Sequence, residues 1–91
     1  MLKKKDLDKL LTLVRKWYRE KDTDTDKASL YCDQATMLSK EIAEVSSLSS
    51  EYIFSFALTV TQNRWPNEQL YILVERYGEK VDNWEYQGHF I

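Results

Sequence analysis

Apolar residues at Leu7, Leu10, Leu11, Val14, Trp17 and Tyr18 recur with the 3-4 spacing of a single helical face. A second series, Ala28, Tyr31, Ala35, Leu38, Ile42 and Val45, keeps the same rhythm after a short polar break. Two adjacent amphipathic helices can bury their stripes only against each other or against further elements, so the first half of the chain predicts helix-on-helix packing. The spacing places the helices over about Lys3 to Lys21 and about Asp24 to Ser46. The second stripe is narrow, and its small Ala28 and Ala35 allow a neighbouring helix to approach closely.

The break between them, Lys21-Asp22-Thr23-Asp24-Thr25-Asp26-Lys27, sets three aspartates at alternate positions. An EF-hand register would put Asp22, Asp24 and Asp26 at loop positions 1, 3 and 5. It would then require glycine where Lys27 stands and a bidentate glutamate where Asp33 stands. Thr23 with Asp26 three residues on matches a capping box, and carboxylates in a first turn complement the helix dipole. The stretch is therefore expected to start a helix, with Thr23 as its cap.

The third segment, Glu51 to Gln62, follows the serine-rich Ser46 to Ser50, which reads as a loop and an N-cap together. As a helix it is apolar nearly all round, with Glu51, Ser55, Thr59 and Gln62 on one narrow side, and it would be the central, most buried element. As a strand its alternation and β-branched content also fit. Its length and the lack of glycine before Gly78 favour helix. Pro66 near a helix start and Gly78 at a helix end bracket a fourth helix from Pro66 to Tyr77. The tail from residue 79 has no period, and Val81, Trp84, Tyr86 or Phe90 are its candidates for packing on the bundle.

The expected fold is an all-α single-domain bundle of about four helices with an irregular C-terminal tail. The alternative is an α+β arrangement of two N-terminal helices plus a small antiparallel sheet. Ninety-one residues suffice for one core, and a content of 43% hydrophobic residues with 12 aromatics is far from that of a disordered chain.

Several function classes are disfavoured. The apolar window Tyr52 to Val60 is far short of the roughly 20 residues that span a bilayer. The basic start Lys3-Lys4-Lys5 is followed by Asp6 and Asp8 rather than by a leader's apolar region. Cys32 is the one cysteine, so no intramolecular disulfide can form, and a reducing, cytoplasmic setting with no membrane is expected. Cys32 lies near the edge of the second stripe and reads as a buried structural thiol. With one histidine, His89 near the chain end, and glycines only at Gly78 and Gly88, there is no nucleophile-base pair or phosphate loop to read. No enzyme, metal or cofactor is expected.

Charge is the informative feature. Residues 1–21 hold eight Lys/Arg against three Asp/Glu, while residues 22–91 hold five against twelve, for a net −2 overall. A cationic helix is thus carried by an acidic body. Lys5, Lys9, Lys16 and Arg19, with Trp17 at the border of the apolar face, would present a surface to an acidic partner or to phosphate. The opposing reading is a solvated face that complements acidic neighbours in the bundle or in a homodimer, with Trp17 in the core. Leu30 and Met37, off the main stripe of the second helix, either meet another helix or form a small exposed patch for a partner.

These residues point to a small non-enzymatic interaction module such as an inhibitor, immunity protein, antitoxin or accessory subunit, of a bacterial or phage kind. A dimeric nucleic-acid-binding regulator using the basic first helix is the alternative. The chain's pI near 5.4 weighs against it.

Overall fold

The computed structural model describes residues 1–84. Four helices, α1 (Lys4–Glu20), α2 (Thr25–Glu44), α3 (Ser50–Gln62) and α4 (Glu68–Arg76), form the expected helical bundle. Two short strands, β1 (Leu2–Lys3) and β2 (Val81–Asp82), flank them and pair in parallel, Leu2 opposite Val81. Tyr86, His89 and Phe90 lie outside the described residues.

α1 packs against α2, α3, α4 and β1, and so occupies the centre. Its Leu7, Leu10, Leu11 and Val14 are fully buried and meet Ile53, Ala57 and Val60 of α3 and Leu70 and Val74 of α4 in one core. Ala28 and Ala35 are buried where α2 lies along α1, as their size predicted. The alternative antiparallel sheet is overturned, because residues 50–62 and 68–76 are helical.

Local chemistry sets the helix ends, with one correction. Asp24, not Thr23, caps α2: its Oδ1 accepts the Lys27 amide at 3.1 Å. The amides of Thr23 and Asp24 both donate to the Glu20 carbonyl, so Thr23 belongs to the exit from α1. Asp24, the better capping residue, then takes the role. With α2 helical from Thr25, Asp26 lies in its first turn and cannot serve as position 5 of an EF-hand loop. Ser49 caps α3 by accepting the Tyr52 amide at 3.3 Å.

α3 is not the most buried helix. Ile53, Ala57, Val60 and Thr61 are inside and the expected polar side is exposed, yet Tyr52 is also outside, in a ring cluster with Phe56 and Tyr77. α4 starts two residues after Pro66, because the preceding turn is drawn tight by i→i+3 bonds from Gln69 to Pro66 and from Leu70 to Asn67. α2 stops at Glu44, so Val45 leaves the helical stripe and is exposed.

The start of the chain and the stretch after α4 depart most from expectation. Leu2 is 1% exposed and Val81 4%. The Leu2 amide donates to the Lys80 carbonyl at 2.8 Å. Both residues join the main core, so part of the tail is ordered in a strand rather than irregular. Trp84 packs edge-on against Tyr71, at 5.3 Å between ring centroids.

Candidate protein-interaction face

α1 and α2 run antiparallel, and their outer side gathers most of the residues singled out by charge and by stripe position. At one end Asp6 lies beside Leu38, Glu41 and Val45 in a groove of about 260 Å³. In the middle Lys9 and Leu13 face Gln34, Met37, Leu38 and Glu41 across a second groove of about 320 Å³. At the other end the Lys16 ammonium stands 5.7 Å from the centre of the Tyr31 ring. Thus Lys9 and Met37, expected on separate surfaces, share one groove.

Leu30 and Met37 are 55% and 64% exposed, so both stand out in solvent on the outer ridge of α2. Asp26 is four residues before Leu30, while Asp33 and Glu41 lie four residues either side of Met37, spacings that make them neighbours on the helix surface. Glu44 continues the same margin seven residues beyond Met37. All four carboxylates are exposed, and Lys27 and Lys40 are the cations on this helix. The opposite margin, on α1, carries Lys5, Lys9, Lys16 and Arg19. Lys5 and Lys9 are exposed, and the Arg19 guanidinium makes a loose 3.6 Å pair with Glu20. The face therefore has an edge on α1 that is cationic apart from Asp6, a middle where Leu13, Met37 and Leu38 stand among Lys9, Gln34 and Glu41, and an acidic edge on α2.

Trp17 lies apart from this face. It is half-buried against the core, and its ring meets Phe54 of α3 edge-on at 6.5 Å. Leu13 also lines the groove, although it lies outside the core stripe of α1. An apolar residue between Lys9 and Lys16, one step outside the core series, is the sequence signal for it.

Arg15, next to Lys16 in the chain, serves the fold instead. Its guanidinium donates to Asn67 Oδ1 at 2.7 Å and to the Trp65 carbonyl at 3.2 Å. Asn67 Nδ2 in turn donates to Asp8 Oδ1 at 2.9 Å, and the Tyr71 hydroxyl donates to the same oxygen. Burial, and then the hydrogen bond to Asp8, hold the Tyr71 proton far above its usual range. This network is the densest polar cluster among the described residues, and it fastens α4 to α1.

Cys32 is half-buried rather than buried. It lines a groove of about 510 Å³ between α2 and α3 with Thr36, Ser39 and Phe54. Among the described residues no three His, Cys, Asp or Glu side chains converge as metal ligands, and no helix is long and apolar enough to cross a membrane. No family model, curated protein or solved structure matches the chain.

Proposed function

We propose that the chain is a small non-enzymatic protein-interaction module whose α1–α2 face receives a helical surface with an acidic margin. The observation that carries this reading is the shared groove of Lys9, Leu13, Met37 and Leu38, flanked by exposed Leu30. Apolar side chains framed by charge are what a helix-in-groove contact uses. The apolar contacts supply affinity, and the margins set orientation and partner choice. Occupying another protein in this way is how an inhibitor, immunity protein, antitoxin or accessory subunit acts. The carboxylates of α2 beside the same groove would repel a phosphate backbone, which favours a protein over a nucleic acid as the ligand.

The test is affinity capture from the source cells with three forms of the chain. These are the wild type, Leu30→Glu with Met37→Glu, and Gln62→Glu on the exposed side of α3 as a control. A protein, a second copy included, should be retained by the wild type and the control and lost with the double variant, while circular dichroism of all three stays alike. Equal retention by the double variant would refute the reading.

A further inference from the structure

We infer that the α1–α2 face pairs with a second copy of the chain about a two-fold axis parallel to the two helices, giving a four-helix dimer interface. This rests on the reading of the face as a protein-binding surface and names its occupant.

In a two-fold interface the same patch meets itself, so the patch must be complementary to its own image. A two-fold axis lying between α1 and α2 and parallel to them carries α1 of one subunit onto α2 of the other. Such a rotation keeps every residue at its height along the axis. A face cationic along α1 apart from Asp6, and with four exposed carboxylates along α2 against Lys27 and Lys40, is self-complementary under that operation and not under the other. An axis across the helices would set α1 on α1 and bring like charges together.

The heights of the charges agree. Asp6 lies level with Glu41, Lys9 with Met37, and Lys16 with Tyr31. Rotation therefore sets Lys5 near Glu41 and Glu44 of the partner subunit, Lys16 near Asp33 of the partner subunit, and Arg19 near Asp26 of the partner subunit. Leu30 and Met37 of each subunit then turn toward the groove floored by Leu13 and Leu38 in the other. The two largest exposed aliphatic side chains of α2 lose their solvent exposure, while the charges meet at the rim. An apolar centre inside a polar rim is the usual anatomy of a stable interface.

The experiment is a charge swap. In the first variant Lys5 and Lys16 become Glu; in the second Asp33 and Glu44 become Lys. Lys5→Glu at the start of α1 and Glu44→Lys at the end of α2 both agree with the helix dipole, so neither opposes folding there. Sedimentation of the wild type should give twice the 10.9 kDa chain mass. Each variant alone presents like charges to itself and should dissociate at least about tenfold more readily. An equimolar mixture should recover a dimer holding one chain of each kind, because both α1–α2 contacts are then oppositely charged. Native mass spectrometry reads this directly.

A wild type that stays monomeric at about 100 µM, where a micromolar dimer would be nearly complete, would overturn the inference. So would a mixture that fails to form the mixed dimer. Capture with the Leu30→Glu, Met37→Glu variant separates the two failures. If the wild type is monomeric and that variant still loses a different protein, the dimer is wrong and the face remains a binding surface. If nothing is lost, both fall.

Discussion

Asp8 is the residue through which α4 is oriented. It stands on α1 outside the core stripe, and its carboxylate accepts from both Asn67 and Tyr71. Replacing Tyr71 by Phe removes one charge-assisted donor while Asn67 remains, so urea unfolding should show a loss of about 1–2 kcal/mol. The pH dependence carries the same signature. The folded state holds the Tyr71 proton above the value of an unfolded tyrosine, about 10. The stabilisation is thus complete below that pH and is lost as the pH rises from it toward the higher folded value. The wild type should lose stability there more steeply than Tyr71→Phe, and equal slopes in parallel melts would contradict the network. Asp24→Ala should cost on the order of 1 kcal/mol and Thr23→Ala far less, since only Asp24 caps α2. The reverse order would return the cap to Thr23. The sequence could place a cap within this stretch, because capping is local. It could not choose between neighbours, since that depended on where the exit from α1 claimed the amides.

At the scale of elements, α3 and α4 end alike on different residues. The Trp65 amide reaches the Val60 carbonyl past Arg64 at φ +55°, and the Glu79 amide reaches the Val74 carbonyl past Gly78 at φ +101°. Both are six-to-one closures around a left-handed residue. Nothing stands within 4 Å of a Cβ placed on Gly78, so Gly78→Ala should cost about 1–2 kcal/mol through backbone strain alone. Arg64→Gly relieves strain in the fold but adds freedom to the unfolded chain, and the net change should stay within about 0.5 kcal/mol. Chemical denaturation of the two variants side by side checks the contrast. Gly78 as a stop was legible in the sequence because glycine at a helix end has a conformational meaning. Arg64 gave no such sign, since arginine enters this region only when the following turn holds it there.

At the scale of the molecule, the parallel pair β1–β2 brings opposite ends of the described chain together and closes the core beside α1. Leu2 is fully buried by this pairing, and Leu2→Ala should cost about 2–4 kcal/mol, as for a core leucine. A frayed residue would cost almost nothing, so a thermal or urea midpoint near that of the wild type would remove β1 from the fold. Glu79 braces the same region, since its carboxylate accepts from the Ser47 hydroxyl and amide, which lower its proton affinity.

The helical class, the extents of α1 and α2 to within two residues, the exposed polar side of α3 and the polarity of charge along the chain are all legible in the residue order. Each follows from spacings of three and four residues or from single capping positions, and such information is local. Packing alone set the pairing of Leu2 with Val81, the hold of Arg15 on Asn67 and the groove shared by Lys9 and Met37. These contacts join residues far apart in the chain. A two-residue strand has no period to read, and a polar side chain on a helix face does not announce its partner. The physical reason is that burial and hydrogen-bond satisfaction are settled by the whole packed core, which fixes the heights and rotations of the helices after their local signals have formed them.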